Sequence, residues 1–423
     1  MIGVILFGVF VIALLIGIPI SVSLGIAAMV TFTYRGIPIV MIGQRIFTAM
    51  DSFPLMAIPM FILAGNLMTA GGISKRIVSF VNTVVSSFRG SLGVVAIIAC
   101  AIFASLSGST VATTVAIGSI VYPAMKELGY PGKGSAGLIS SAGVLGQIIP
   151  PSIVMIVYAT VTNASIIGIY KLGFFWGVFS TIILCVIVII FAYIQKWPKT
   201  NKTKVTRKKF IFEFVNGVPA LSIPFIILGG IYSGLFTPTE AAGIGVVVAF
   251  VIGVFIYKEL KLQTLIKTII DSAKSSAMAM FIVACASSFA YLFSFEGLSK
   301  GLVESIVSAN MSKTAFLFII SFVLIIFGMF MDGVSITVLL APLLVPVLQS
   351  FGIDFAYFGI IFTILAVLGN ITPPVAVNLV AMSSISGLSI EDISKGELVY
   401  FITYLLIVTV IILFPSISLF FLA

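Results

Sequence analysis

The segment Val144-Leu145-Gly146-Gln147-Ile148-Ile149-Pro150-Pro151-Ser152-Ile153-Val154 returns in altered form as Val367-Leu368-Gly369-Asn370-Ile371-Thr372-Pro373-Pro374-Val375-Ala376-Val377. The offset, 373 − 150 = 223 positions, also joins Gly146 to Gly369, Pro123 to Pro346 and Gly129 to Gly352. Half of the polypeptide therefore echoes the other half. Internal duplication of an apolar chain is a common way to build a secondary transporter.

Composition sets the class. Of the 423 residues, 61% are hydrophobic and 8% charged, and several apolar runs reach about 20 residues, the length that spans a bilayer. No soluble domain exposes that much apolar surface, so lipid is the solvent. The segments lack the ten-residue alternation of outer-membrane barrels, which leaves α-helices as the spanning element. The chain is thus expected to be an all-α polytopic membrane protein. Met1 to Tyr34 lacks a basic leader and a small-residue cleavage site and reads as retained membrane helix. It fits either one long tilted helix or two short ones broken at Gly17-Ile18-Pro19.

The net charge of +9 does not point to nucleic acid. Seven of the 22 basic residues (Lys196, Lys199, Lys202, Lys204, Arg207, Lys208, Lys209) fall in one loop between membrane segments. That is the positive-inside signal, and it puts the loop in the cytoplasm. Cys100, Cys185 and Cys285 lie far apart inside apolar runs and imply neither disulfides nor a metal cluster. With no histidine, His-dependent catalysis, haem ligation and most zinc sites drop out, and an enzyme is not expected.

The basic linker, 196–210, separates a first half, 1–195, from a second, 211–423. A helix over about 168–195 enters the cytoplasm, so the preceding Pro-Pro segment begins on that side, near Lys126 and Lys133. The stretch 91–126 must then start and finish there, flanked by Arg89 and Lys126. Its middle, Ala104-Ser105-Leu106-Ser107-Gly108-Ser109-Thr110, breaks an apolar run too short for two full crossings. This predicts a re-entrant hairpin, two half-helices meeting inside the membrane. In the second half, helices over about 214–234 and 238–257 leave and re-enter the cytoplasm, Lys261, Lys267 and Lys274 mark a cytoplasmic amphipathic connection, and a span over about 277–295 reaches the outside. A second hairpin over about 314–349 then opens outward, with Gly328-Met329-Phe330-Met331-Asp332-Gly333-Val334-Ser335 at its tip. The halves are expected to be inverted-topology repeats, each with a re-entrant helical hairpin and a Pro-Pro-broken helix.

Four segments can carry chemistry. Asp332 is read as the only carboxylate deep inside a long apolar stretch, where burying a charge costs about 2.5 to 3.5 kcal/mol. It either binds a cation or substrate hydroxyls, or sits at an aqueous cavity and merely ends a half-helix. Ser105, Ser107, Ser109 and Thr110 either pack as small residues or form a site. In the second case a half-helix starting near Ser109 offers free N–H groups to an anion, and one ending near Leu106 offers carbonyls to a monovalent cation. Each Pro-Pro pair strips nearby carbonyls of helical partners, around Gly146 to Ile149 and Gly369 to Thr372. Such carbonyls are costly at membrane depth unless an ion or water meets them. A packing kink explains one such pair; two, each with a polar-tipped hairpin upstream, point to two related cation sites. Neutral carbonyls and hydroxyls suit sodium better than magnesium or calcium.

At these residues the chain resembles a known family. Ala104 to Thr113, Gly146 to Ile153, Tyr232-Ser233-Gly234-Leu235-Phe236-Thr237-Pro238-Thr239-Glu240-Ala241-Ala242, Gly328 to Asp332 and Ile371 to Val375 are similar, in order and over essentially the whole chain, to the large membrane subunit of tripartite ATP-independent periplasmic (TRAP) transporters. The resemblance implies an elevator-type carrier, with a transport domain that holds both hairpins and slides against a scaffold in the bacterial inner membrane. It implies two or more co-transported sodium ions, a periplasmic binding protein that hands over the substrate, and a small four-helix membrane subunit as partner. Carried over by motif, the first sodium site takes Ser105, Ser107, Gly146 and Pro150, and the second Gly328, Gly369, Asn370 and Thr372. Asn370 stands where a small residue is expected. Substrate lies among Ser107, Ser109, Ser152 and Asp332. Glu240 serves either the scaffold and its small-subunit interface or its own helix N-terminus. The implied substrate is an organic acid, of the sialic acid or C4-dicarboxylate class. A single-component, sodium-coupled carrier of divalent anions, working without a binding protein, is the alternative.

Overall fold

The computed structural model describes residues 2–422 apart from 86, 200–205, 299–300, 302, 305–307 and 309. Lys202 and Lys204 of the basic linker lie outside the described residues. The protein is helical, and among the described residues the only β-type pairing is an isolated bridge between Arg89 and Lys199. The N-terminal segment forms two helices, α1 (Ile2–Leu15) and α2 (Ile20–Tyr34). Gly17 takes a left-handed φ of 89° and Pro19, with no N–H to donate, starts the second helix.

There follow α3 (Val40–Met50), α4 (Ala57–Ala70), α5 (Ile73–Val84), α6 (Ser91–Ser107), α7 (Thr110–Glu127), α8 (Gly132–Gly143), the single turn α9 (Leu145–Ile148), α10 (Ile153–Thr162) and α11 (Ile166–Ile194). The second half holds α12 (Arg207–Tyr232), α13 (Pro238–Val251), α14 (Leu262–Phe295), α15 (Lys313–Gly328), α16 (Gly333–Ser350), α17 (Phe355–Leu368), α18 (Val377–Ser386), α19 (Ile390–Leu413) and α20 (Pro415–Phe420). Among the described residues, seven helices are long and apolar enough to cross a membrane, or eight with the bent Gly132–Thr162 pair. The chain is a multi-pass membrane protein.

Two expectations change. The region around Lys261, Lys267 and Lys274 is not a separate connection, because it runs unbroken into the following span as the 34-residue α14. It contains neither glycine nor proline, so no breaker interrupts it, and its buried Thr268, Ser272 and Ser276 satisfy their hydroxyls on the carbonyl four residues back. Arg207, Lys208 and Lys209, read as loop, form the first turn of α12.

Many of the helix contacts fall within two groups, which meet where α14 packs on α16 and where α4 and α5 pack on α6. In one, α4 packs on α13 and α14, α14 on α2 and α3, and α12 on α5 and α13. In the other, α8 packs on α7 and α19, α18 on α7 and α8, and α17 on α10, α11 and α15. The long α11 gives a ruler for the second group. Its C-terminal end meets the open end of the α6–α7 hairpin, where a Cβ on Gly93 would lie 2.8 Å from Val188, and the Tyr130 and Trp197 rings sit 5.6 Å apart. Its N-terminal end meets the start of α17, with Gly168 beside Ala356. That start follows directly on the open end of the α15–α16 hairpin, closed by Phe316 against Phe351. The two hairpins thus open toward opposite ends of α11.

Candidate functional site

The first hairpin turns at Gly108, whose φ of +60° and 2.9 Å approach of a built Cβ to the Pro151 carbonyl leave room only for glycine. Ser109 then caps α7, accepting from the Ala112 N–H at 3.3 Å. Ser107, 1% exposed, is paired at 2.9 Å with the Thr113 hydroxyl. Gly146 lies directly against Ser109 and Thr113. The first bend is therefore seated on the first hairpin tip. Pro150 and Pro151 are buried, and Ser152 caps α10 through the Met155 N–H.

The second tip is built the same way with different parts. Gly328 and Gly369 touch backbone to backbone, and the Val375 N–H donates to the Met329 carbonyl at 3.2 Å. Thr372 turns its hydroxyl to the Leu368 carbonyl. Asp332, 223 positions after Ser109, caps α16 by accepting from the Val334 and Ser335 N–H groups at 2.9 and 3.2 Å, and from the Ser335 hydroxyl. Of the roughly four acceptor positions on a carboxylate, three are used. Asp332 thus caps the half-helix, with one acceptor position left over.

The two tips also reach each other. Asn370 donates to the Thr110 hydroxyl at 3.2 Å, and Gly333 lies against Val154 and 3.5 Å, at its built Cβ, from the Gln147 amide oxygen. Four broken helix ends from both halves thus converge, and the buried amide oxygens of Gln147 and Asn370 have no partner among the described residues. Neutral oxygens, unpaired and buried, are what a monovalent cation needs. Ser105 does not join this cluster through its side chain, since its hydroxyl bonds the Ile102 carbonyl and faces a separate apolar hollow.

A cavity of about 400 Å³ opens beside Ser107 and Ser109, walled by Asn66 and Thr69 of α4 and Ser275 of α14. It lies between the two helix groups. Larger hollows of about 730 and 640 Å³ are walled mainly by apolar side chains, with Lys171 the one charged residue, at the edge of the first. Asn66, tied to the Ser272 hydroxyl at 2.9 Å, was not singled out from sequence, although it is the lone amide in its apolar run. Gln147 was visible in the repeated motif. Glu397 qualifies the reading of Asp332 as the only deep acid: α19 crosses α8 at Gly396 and Gly137, and this leaves Glu397 3% exposed. The charged residues just before it, Glu391, Asp392 and Lys395, disguised its depth. Glu240 forms a capping box with Thr237, which accounts for it as an N-terminal acid.

A family model described as "Tripartite ATP-independent periplasmic transporter, DctM component" matches residues 7–417. The chain belongs to this family. Among its relatives, this DctM-family chain is 36% identical to the C4-dicarboxylate TRAP transporter large permease protein DctM of Rhodobacter capsulatus, over 98% of the chain and 97% of the relative. It is 32% identical to the sialic acid TRAP transporter permease protein SiaT of Haemophilus influenzae, over 97% of the chain and 66% of the relative. In fold it is similar to the YdaH transporter of Alcanivorax borkumensis, with a TM-score of 0.64, 14% identity, and coverage of 89% of this chain and 88% of that one.

Proposed function

We propose that this DctM-family chain is the membrane carrier of a three-component uptake system, driven by co-transported sodium in the bacterial inner membrane, with the basic linker on the cytoplasmic side. It receives an organic acid from a periplasmic binding protein and is braced by a small four-helix membrane subunit. The reading rests on one observation, the convergence of two hairpin tips and two Pro-Pro bends from both halves. Two further features support it. The helix groups divide as a scaffold (α1–α5, α12–α14) and a transport domain (α6–α11, α15–α20) would in an elevator, and the hairpins open toward opposite ends of α11, as inverted repeats require.

The first sodium would be held near Ser105, Ser107, Gly146 and Pro150, with Ser105 contributing its carbonyl. The second would lie near Gly328, Gly369, Asn370 and Thr372. The substrate would lie among Ser107, Ser109, Ser152 and Asp332. The neutral cap of Ser109 leaves the positive end of α7 for the acid group. The Asp332 carboxylate already matches the end of α16, so its remaining acceptor suits a cation or a substrate hydroxyl. Relatives are named for C4-dicarboxylate and for sialic acid, and the hydroxyls and the amide among the cavity's lining side chains favour a polyhydroxylated acid.

The test is uptake into proteoliposomes holding this chain and the small subunit, with a loaded binding protein outside and an inward sodium gradient. Asp332→Ala and Ser107→Ala should each cut uptake by about tenfold or more, the loss expected from about 1.4 kcal/mol of lost binding. Wild-type uptake in both variants overturns the site. Flux indifferent to the sodium gradient overturns the coupling, and full uptake without the binding protein favours the single-component carrier.

A further inference from the structure

One face of α11 carries Phe174, Val178 and Ile182 at four-residue spacing, 45, 39 and 56% exposed. An apolar hollow lies on each side of this stripe. The one of about 730 Å³ runs toward Phe420 and Phe421 at the end of the chain, and the one of about 640 Å³ runs toward α12 and α6. Both share Phe174, Val178, Ile182 and Tyr232, so the stripe is a ridge between two troughs. One turn before the ridge stands Lys171, which is exposed, lines the first trough and forms no ion pair with another described residue. The Tyr232 hydroxyl, donating to the Tyr170 carbonyl at 3.0 Å, fixes the wall beside it.

We propose that this ridge seats one anionic phospholipid, with an acyl chain in each trough and its phosphate against the Lys171 ammonium. Length, shape and charge agree. From Lys171 to Ile182 the helix rises about 16 Å, close to the roughly 15 Å depth of one leaflet of the hydrocarbon core. A transmembrane helix, about 10 Å wide, needs one broad groove, whereas a ridge flanked by two troughs under one headgroup position matches two chains from one lipid. The cation completes the fit, since a lysine near a helix end carries its charge to the headgroup level. The second trough is walled by α6 and α11 of one helix group and α12 of the other, so its acyl chain touches both.

The site is tested on the purified full chain, offered equal amounts of dioleoyl phosphatidylglycerol and phosphatidylcholine and analysed by native mass spectrometry. Wild type should retain the anionic lipid about fivefold over the zwitterionic one, the preference one lysine gives at a membrane surface. Lys171→Arg should keep the preference and Lys171→Gln should abolish it, while Val178→Trp should expel both lipids. Equal retention by wild type, or an unchanged preference in Lys171→Gln, overturns the proposal. Should Val178→Trp not fold, phosphatidylglycerol with photoreactive acyl chains serves on the native chain: crosslinks should map to Phe174, Val178, Ile182 or Phe421, and absence of crosslinks there overturns the proposal. Displacement of all bound lipid by the co-purified small membrane subunit also overturns it, because the troughs would then belong to a protein helix.

Discussion

The two hairpin tips occupy equivalent positions, yet the first caps its second helix with the hydroxyl of Ser109 and the second with the carboxylate of Asp332. A helix N-terminus carries about half a positive charge. With Ser109 that charge stays available, and with Asp332 it is answered from within. The same backbone device occurs at both tips, and one side-chain difference gives them opposite electrostatic character. The bends differ in parallel: Pro150, Pro151 and Ser152 are buried, whereas Pro374 and Val375 are exposed and α18 is preceded by Ala376, in a left-handed conformation, with no side-chain cap.

The largest expected effect comes from making the tips alike. Ser109→Asp places a carboxylate where the acid group is proposed to bind, and like charges brought together cost several kcal/mol, so sodium-driven uptake should fall about 100-fold at tenfold per 1.4 kcal/mol. Asp332→Ser should lower apparent sodium affinity more than it lowers folded yield. Equal loss of both in Asp332→Ser would mean that the two caps do not differ in role.

A smaller effect separates the bends. Ser152→Ala removes a buried cap and should cost about 1 kcal/mol of stability, read as a fall in the melting temperature of the purified protein. Val375→Ala, on the open bend, should stay within about 0.5 kcal/mol. Matching losses would show that exposure of the second bend does not relax it. The smallest effect concerns the amides. The Gln147 oxygen has no partner, so Gln147→Leu should leave stability within about 1 kcal/mol of wild type while reducing uptake if that oxygen meets an ion. Unchanged uptake would reduce Gln147 to a filler between the halves.

Much of this was legible in the chain. The stretches read as hairpins over about 91–126 and 314–349 hold the helices Ser91–Ser107 with Thr110–Glu127 and Lys313–Gly328 with Gly333–Ser350, because polar or glycine-containing tips interrupt apolar runs locally. The doubled bends were legible for the same reason. Partners between distant segments were not: Asn66 and Ser275 face Ser107 only because α4 and α14 pack beside the first hairpin. Glu397 is buried by a glycine crossing on another helix, which nothing in its own neighbourhood announces. The continuity of α14 is not legible because an amphipathic, charged segment and an apolar span differ in composition, although an exposed helical turn accepts Lys267, Asp271 and Lys274 readily.

That long helix has a consequence for how the protein sits in its membrane. At 34 residues α14 is about 51 Å long against a hydrocarbon core of about 30 Å. Twenty residues counted back from Phe295 fill the core, and Lys267, Asp271 and Lys274 all fall on the remainder. Sinking the helix, or laying it over to hide its full length, would draw three exposed charges into lipid at about 2.5 to 3.5 kcal/mol each. Together these charges make α14 a depth gauge, each opposing vertical drift with a cost that rises toward about 2.5 to 3.5 kcal/mol at the bilayer centre.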